Sequence, residues 1–312
     1  MNNKVIVIVG PTASGKSGLA IELAKKIESV VISADSMQIY KKLDVGTAKV
    51  TKEEAQGIKH ELIDICNIED NFDVSKYKEL CYQKIDEILQ EGKTPIVVGG
   101  TGLYINAVVN NIKFENVEKE KELEVKDQLE KLSLDKTTEE LYEYLKSIDS
   151  DSAQKVDFNN RRRVLRAIEL YLLGTSKTQS ENNNSLWEDN GSKYNFSVFY
   201  IDMPRDLLYD RINKRVDGMV EAGVLEEAKM LYDKKEKGNT TVYQAIGYKE
   251  FFDFFAGLKP LEECVELLKI NTRHYAKRQI TWFKKFKNKC SIDGTKSKGE
   301  LVNKILKEFY EN

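Results

Sequence analysis

Cysteine, histidine and proline are scarce in this sequence of 312 residues, and each scarcity excludes a class of protein. The 4 cysteines lie far apart without a C-x-x-C pair, and the 2 histidines are His60 and His274. No zinc-ligand spacing is therefore present. Only 4 prolines against 15 tyrosines and 12 phenylalanines exclude a disordered or collagen-like chain. The cysteine usage indicates reduced thiols and a cytoplasmic protein.

Long apolar runs and an excess of one charge are also missing. The longest apolar run near the start, residues 5–9, is far shorter than the roughly 20 residues that span a bilayer, so we expect no membrane partner. Forty-nine basic residues against 51 acidic residues give a net charge of −2, which argues against bulk, non-specific nucleic-acid binding. What remains is a soluble globular protein of one large domain or two ordinary ones.

The order of apolar and amphipathic segments predicts an α/β fold. Strand-like apolar runs at residues 5–9, 30–32 and 95–98 alternate with helical patterns, one of which covers residues 74–89. This alternation predicts a mostly parallel sheet with helices on both faces. The strand pattern returns once more, at residues 196–201, where we expect the chain to rejoin the sheet. From Arg205 onward the pattern predicts only helices, at residues 207–216, 225–234, 248–255 and 261–286.

A change of composition after Asn111 predicts an inserted helical domain. Residues 115–145 are dense in Glu and Lys with spaced Leu, Val and Tyr, and residues 161–172 have a strong helical pattern. Residues 174–192 are rich in Ser, Asn, Thr and Gly, which predicts a loop. We therefore expect an α/β core with C-terminal helices from residues 1–114 and 196–312, and a helical insertion from residues 115–195.

One contiguous motif predicts phosphate chemistry. Between the first predicted strand and the helix after it, the chain has the pattern G-x-x-x-x-G-K-S, which consists of Gly10, Pro11, Thr12, Ala13, Ser14, Gly15, Lys16 and Ser17. The glycines let backbone N–H groups wrap a phosphate chain, and the start of the helix adds the positive end of a dipole. Lys16 would reach the terminal phosphates, and Ser17 would hold Mg²⁺. The motif predicts a P-loop NTPase-like core that binds a phosphate or diphosphate group.

A second candidate residue follows the second predicted strand. Asp35 comes directly after residues 30–34 and would lie at the carboxyl edge of a parallel sheet, where ligands of such folds bind. It could be a magnesium ligand, a general base, or an aspartate that forms a turn or caps a helix. The residues alone leave these three roles open.

Further blocks, in order along nearly the whole chain, resemble the tRNA dimethylallyltransferase family. They lie at residues 35–40 (DSMQIY), 44–49 (DVGTAK), 99–104 (GGTGLY), 163–167, 211–217, 244–249 and 272–279. The sequence has no C-terminal zinc-finger extension of the kind found in eukaryotic relatives, which favours the bacterial type. The resemblance implies transfer of a dimethylallyl group from dimethylallyl diphosphate to N6 of adenine 37, beside the anticodon, in tRNAs that read codons starting with U.

The resemblance also implies roles for individual residues. Asp35 would take the proton of the attacking adenine amine, and Thr101 would contact the target nucleotide beside the reaction centre. Lys16, with Mg²⁺ bound at the phosphate loop, would neutralise the departing diphosphate. Arg211 and Arg215, one helical turn apart, would help to bind the diphosphate. The alternative for these two arginines is a solvated helix face.

A polar block and two basic stretches predict where tRNA would bind. An adenine leaves its stack most cheaply in a single-stranded loop, so the anticodon stem-loop is a sensible partner. Ser36, Met37 and Gln38 would contact the flipped adenine together with Asp35 and Thr101, and the Gln38 amide would read an adenine edge. Core packing is the alternative for Met37. Two acid-free stretches would bind the backbone. Their predicted contacts are Arg162, Arg163 and Arg166 in the first, and Arg273, Lys277, Arg278 and Gln279 in the second.

Three other functions compete with this interpretation. A P-loop small-molecule or nucleoside kinase would share the phosphate loop and an aspartate base, but it explains neither the block around Gln38 nor the basic C-terminal helix. An isopentenyltransferase acting on free AMP would share the prenyl site but would need no surface for an anticodon. A non-catalytic RNA-binding module leaves the complete phosphate loop unexplained. The family resemblance further implies a monomer.

Overall fold

The computed structural model describes residues 3–114, 118–175, 187, 188, 190–234 and 241–311, which divide into two compact units. The first unit consists of Met1–Val109 and Ser192–Asn312, and the second of Asn110–Gly191. Most of the loop predicted over residues 174–192 and the start of the predicted insertion, residues 115–117, lie outside the described residues. Among the described residues, no helix combines the length and the apolar character that a membrane span needs.

A six-stranded parallel sheet forms the centre of the first unit and confirms the predicted α/β fold. The strands are β1 (Lys4–Val9), β2 (Val31–Ala34), β3 (His60–Glu61), β4 (Ile96–Gly99), β5 (Asn195–Asp202) and β6 (Lys289–Asp293). Their order in the sheet is β3-β2-β4-β1-β5-β6, and every neighbouring pair is parallel. At the centre, Val9 of β1 pairs with Gly99 on one side and with Tyr200 on the other. The loops that leave β1, β2 and β4 therefore begin at the same edge of the sheet.

The strand pattern returns twice after the second unit, not once. β5 rejoins the sheet beside β1, as predicted, but β6 then pairs with β5 through Phe199 and Cys290. The prediction that only helices follow Arg205 is therefore wrong at β6. This edge strand has five residues, and its only apolar side chains are Cys290 and the buried Ile292. So short an alternation is a weak periodic signal.

Helices account for most of the remaining described chain. In chain order they are α1 (Lys16–Lys26), α2 (Lys52–Ala55), α3 (Val74–Gln90), α4 (Gly102–Val109), α5 (Lys119–Asp135), α6 (Thr138–Ile148), α7 (Ser150–Ala153), α8 (Arg161–Leu173), α9 (Arg205–Glu221), α10 (Val224–Lys234), α11 (Phe252–Phe255), α12 (Leu261–Lys284) and α13 (Lys298–Glu311). Short 3₁₀ turns cover Thr241–Gln244 and Lys249–Phe251. The helix predicted over residues 248–255 is thus a 3₁₀ turn that continues into α11.

The second unit is helical and has its own small core. Helices α5 to α8 belong to it, and buried Leu141, Leu145, Val164 and Ile168 form its centre. The guanidinium of Arg161, at the start of α8, donates to the Ser133 and Lys136 carbonyls at 2.6 and 2.8 Å. Arg161 therefore fixes the connection between α5 and α6.

A carboxylate from α10 holds the loop at residues 44–46 in the first unit. Glu227 Oε1 accepts hydrogen bonds from the Asp44 and Val45 backbone N–H groups at 2.9 and 2.8 Å. Glu227 Oε2 accepts from the Gly46 N–H at 3.1 Å and from the Tyr248 hydroxyl at 2.8 Å. Successive N–H groups that converge on one anion form a backbone nest. A side chain at Gly46 would put its Cβ 2.5 Å from the Tyr248 ring, so the position requires glycine.

We expect Glu227→Gln to lower the free energy of unfolding by about 1–3 kcal/mol, because an amide has one acceptor oxygen and turns its NH₂ group towards two of the four donors. Chemical denaturation would measure the change. The matched control is Glu226→Gln, whose side chain is exposed in the same helix and whose substitution should stay within about 0.5 kcal/mol of the parent. Equal stability of the two variants would contradict the role of Glu227.

Candidate active site

The phosphate loop lies between β1 and α1. Gly15 ends it with a φ of 90°, a left-handed conformation that glycine adopts without strain. The Gly15 carbonyl then accepts the first helical hydrogen bond, from Leu19 N–H at 3.1 Å. The Lys16 ammonium turns back over the loop and donates to the Pro11 carbonyl at 2.6 Å. The loop is therefore shaped by its own backbone and holds the lysine in place.

A cavity of about 80 Å³ lies beside this loop, at the carboxyl edge of the sheet. It brings together candidate residues that are far apart in the sequence, namely Thr12, Lys16, Ser17, Asp35, Gln38, Arg215 and Gln279. The lining also includes residues that had no individual role predicted from the sequence. These are Ser33, Thr47, Ala48, Val50, His60, Ile63, Val98, Gly99, Gly100 and Tyr275.

Two cations face this cavity. Burial, followed by repulsion from Arg215, lowers the pKa of Lys16 to about 7, although the nearby Asp35 carboxylate acts in the opposite direction. Burial also lowers the pKa of Arg215, again against the effect of Asp35. Arg215 donates from Nη1 to the Thr12 hydroxyl at 2.9 Å and from Nη2 to the Thr47 carbonyl at 3.5 Å. Its buried Nε has no hydrogen-bond partner among the described residues. The arrangement favours a bound anion.

Asp35 is oriented by the chain that follows it. Its Oδ1 accepts hydrogen bonds from the backbone N–H groups of Met37 at 2.9 Å and Gln38 at 3.4 Å. Within the described part of the chain, Oδ2 has no such partner and is available to a ligand. The carboxylate also raises the pKa of the Tyr275 hydroxyl, second to burial. Asp35 is therefore an ionisable acceptor in the same cavity as the two cations.

Thr101 joins the loop after β4 to the loop after β2. Its Oγ1 accepts from the Ser36 backbone N–H at 3.0 Å, and its own N–H donates to the Ala34 carbonyl at 3.2 Å. The Ser36 and Thr101 hydroxyl oxygens are 3.4 Å apart. Thr101 and Ser36 are thereby held next to Asp35, although neither lines the cavity.

The Gln38 amide is held by bonds within the protein. Its Oε1 accepts from the Ser33 hydroxyl at 3.1 Å, and its Nε2 donates to the Thr47 and Ala48 carbonyls, both at 3.3 Å. A bidentate contact with adenine needs a donor and an acceptor on one amide, and both amide hydrogens are already used. The neighbouring Met37 packs against the core cluster of the first unit, as its alternative interpretation predicts.

The predicted residues of the basic helix α12 have different surroundings. Arg273 is engaged within the protein, since it donates to Asn213 Oδ1 at 2.7 Å and forms an ion pair with Glu266 at 3.4 Å. Lys277 and Arg278 are exposed. Gln279, predicted on the tRNA-binding surface, is instead buried, with 5% of its surface exposed.

The remaining predicted arginines do not line the cavity. Arg211 precedes Arg215 by one turn of α9 and is half-buried. In the second unit, Arg162, Arg163 and Arg166 are exposed on α8. The guanidinium of Arg166 forms an ion pair with Glu169 at 2.6 Å. Of the two arginines predicted to bind diphosphate, Arg215 therefore lines the cavity and Arg211 does not.

His60 and Tyr275 also line the cavity, although neither had a role predicted from the sequence. His60 Nδ1 lies 2.9 Å from the Ile58 carbonyl, its Nε2 has no hydrogen-bond partner among the described residues, and burial lowers its pKa. Tyr275 lies one helical turn before Gln279, and both side chains reach the cavity. Tyr275 lies in the block at residues 272–279 that resembles the family, and its spacing of four residues from Gln279 was a second signal that could have identified it.

Comparisons with known proteins identify the family of this chain. A family model described as IPP transferase matches residues 38–286. The tRNA dimethylallyltransferase of Acetivibrio thermocellus is 46% identical over 307 residues, which cover 98% of this chain and 96% of that protein. The tRNA dimethylallyltransferase of Bacillus cereus is 43% identical over 97% of this chain and 93% of its own.

Solved structures give the same result. The tRNA delta(2)-isopentenylpyrophosphate transferase of Staphylococcus epidermidis is 41% identical and superimposes with a TM-score of 0.71 over 99% of both chains. A eukaryotic dimethylallyltransferase acting on tRNA is 33% identical, with a TM-score of 0.76 over 94% of this chain and 74% of its own. A cavity lined by two cations at the edge of this sheet thus accompanies a match along nearly the whole sequence, and the chain belongs to the IPP transferase family, that of the tRNA dimethylallyltransferases.

Proposed function

We propose that this protein transfers a dimethylallyl group from dimethylallyl diphosphate to N6 of adenine 37, beside the anticodon, in tRNAs that read codons starting with U. The observation that carries the proposal is the convergence of Lys16, Arg215 and Asp35 on one cavity. The two cations suit a diphosphate, and the carboxylate suits an acceptor that must lose a proton. The family to which the chain belongs names the group transferred and the kind of acceptor.

The chemical step uses both kinds of group. The bond between C1 of the dimethylallyl group and the diphosphate oxygen breaks, and its electron pair leaves with the diphosphate. N6 of adenine forms the new bond to C1, and its proton passes to Asp35. An exocyclic adenine amine is a poor nucleophile, so a positioned base contributes about 10² to 10⁴ in rate. Lys16 and Arg215 stabilise the charge that develops on the leaving group.

The donor set at the phosphate loop fits Mg²⁺. Ser17 is exposed at the start of α1, and it lines the cavity together with Asp35. Mg²⁺ binds hard oxygen ligands, typically one or two from the protein and the rest from phosphates and water. Ser17 would hold the ion, which when bound supplies further positive charge to the diphosphate.

The acceptor side of the proposal rests on the residues around Asp35 and on the basic surfaces. Thr101 and Ser36 are held beside Asp35 and would contact the flipped adenine. Lys277 and Arg278 are exposed on α12, as are Arg162, Arg163 and Arg166 on α8 in the other unit. These guanidinium and ammonium groups would bind the phosphates of the anticodon stem-loop. The proposal includes a monomer that acts in the cytoplasm, which size-exclusion chromatography and cell fractionation would test.

The direct test is an incubation of the purified protein and Mg²⁺ with an unmodified tRNA whose anticodon loop contains A36-A37-A38. Labelled dimethylallyl diphosphate is the donor and free AMP the competing acceptor, with a parallel reaction containing labelled ATP. We expect label on adenine 37. Label on AMP alone would show an enzyme of the AMP type, and transfer from ATP to a small molecule would show a kinase.

Removal of the proposed base should separate catalysis from binding. Asp35→Asn keeps the shape of the side chain and the hydrogen bonds that Oδ1 accepts, but an amide does not take the N6 proton. We expect single-turnover transfer to fall by at least tenfold while the Kd for tRNA stays nearly unchanged. Asp202→Asn is the control, because Asp202 ends β5 at the same edge of the sheet, is exposed and does not line the cavity. An unchanged rate in Asp35→Asn would remove Asp35 from this role.

The lowered pKa of Lys16 predicts how diphosphate affinity depends on pH. Only the ammonium form attracts the anion, and with a pKa of about 7 much of this lysine is neutral above that value in the free protein. Binding of inorganic diphosphate should therefore weaken as the pH rises from 7 to 9 and take up protons at pH 8. Calorimetry in two buffers of different ionisation enthalpy measures the uptake. The control is Lys16→Arg, whose guanidinium stays charged. The same proton uptake by both proteins would assign the titration to the diphosphate itself.

A further inference from the structure

Gln279 connects the phosphate loop, where the donor would bind, to the loop after β4, where the acceptor would bind. Its Oε1 accepts a hydrogen bond from the Thr12 backbone N–H at 2.7 Å, in the phosphate loop. Its Nε2 donates to the Gly100 carbonyl at 2.9 Å, in the loop after β4. The side chain is buried, so water does not compete for either bond. One amide therefore connects the donor side of the cavity to the acceptor side.

Helix α12 is fitted closely to the second of these loops. A Cβ atom added at Gly100 would collide with the Gln279 amide nitrogen, and one added at Gly102 would collide with the Trp282 indole. Gln279 and Trp282 are three residues apart and therefore lie on the same face of α12. Because Gly100 and Gly102 have no side chain, α12 packs directly against the loop at both positions. The distance between α12 and the loop is thus set by direct contact.

The bridge continues on both sides of Gln279. Thr12 accepts through its hydroxyl from Arg215, which faces the cavity as a diphosphate ligand in the proposed function. On the other side, Thr101 follows Gly100 and accepts from Ser36, the residue next to Asp35. A continuous series of contacts therefore joins the leaving-group cation to the base, with the Gln279 amide at its centre.

We propose that Gln279 is a positioning residue. It holds the phosphate loop and the loop after β4 at the separation that the transfer step requires. The inference rests on the proposed function, and it replaces a direct contact of Gln279 with tRNA. A displacement of about 1 Å between reacting groups can cost 10²-fold in rate. Gln279 acts on the rate through Thr12 and Gly100 and has no need to touch either substrate.

Gln279→Met tests this role, because methionine has a similar length and volume but makes neither hydrogen bond. We expect the single-turnover rate to fall by tenfold or more, with the KM for tRNA within about threefold of the parent. Each rate is divided by the fraction of molecules that bind inorganic diphosphate, so that misfolded protein does not count. The matched control is Thr281→Ala, since among the described residues the exposed Thr281 hydroxyl bonds only to the Lys277 carbonyl of its own helix. It should keep the parental rate and KM.

Other kinetic results would overturn the role. A raised KM for tRNA with an unchanged rate would return Gln279 to the tRNA-binding surface, as would be expected for Lys277→Ala. An unchanged rate and KM, or a loss explained wholly by the fraction that binds diphosphate, would make Gln279 an ordinary packing residue.

Hydrogen exchange provides a readout that does not require activity. In Gln279→Met, the amides of the phosphate loop and of residues 99–102 should both lose protection, whereas Thr281→Ala should leave them unchanged. Unchanged protection of either loop would overturn the bridge. The parent protein could show protection of both loops that is lost in Gln279→Met and yet transfer no dimethylallyl group. That result would refute the proposed function and leave the bridge in place.

Discussion

Parallel pairing of the strands is the constraint on which the site depends. Because β1, β2 and β4 run in the same direction, the loops that leave them start at one edge of the sheet. The first loop provides the backbone that we propose binds phosphate, the second provides Asp35, and the third provides Gly100 and Thr101. None of these segments is near another in the sequence. Their proximity follows from the direction and order of three strands.

Electrostatics supports the proposal that a diphosphate binds at this edge of the sheet. Lys16 and Arg215 face one cavity, and burial lowers the pKa of each. The hydrogen bonds that hold them go to neutral oxygens of Pro11, Thr12 and Thr47. Interactions between charges strengthen as water is excluded. An anion bound here would relieve the repulsion between Lys16 and Arg215, which supports the proposal that the diphosphate of the donor binds in this cavity.

Much of the fold could be predicted from the sequence, because its main signals are local. The phosphate loop, the strands around it and the long helices are marked by glycines or by periodic apolar residues within one segment. β6 could not be predicted, since its five residues become a strand only when β5 is beside them.

The candidate site divides in the same way. The position of Asp35 follows from the end of a strand, and the arginine and lysine could be proposed from their motifs. The hydrogen bonds of the two glutamines could not be predicted, because the Gln38 amide donates to carbonyls nine and ten residues later and the Gln279 amide donates to a carbonyl 179 residues earlier. Glu227 was missed for the same reason. Its carboxylate receives three N–H groups from a loop more than 180 residues earlier in the chain.

The division of the first unit into two stretches of chain has a consequence for synthesis on the ribosome. β1 lies between β4 and β5, but β5 begins at Asn195, after the whole second unit. At about 5–20 residues per second, translation of the intervening unit takes on the order of ten seconds. During that time the central strand has one edge without a partner, and such an edge pairs readily with other chains. The yield of folded protein therefore depends on how quickly residues 110–191 are translated, and on what shields β1 until β5 emerges.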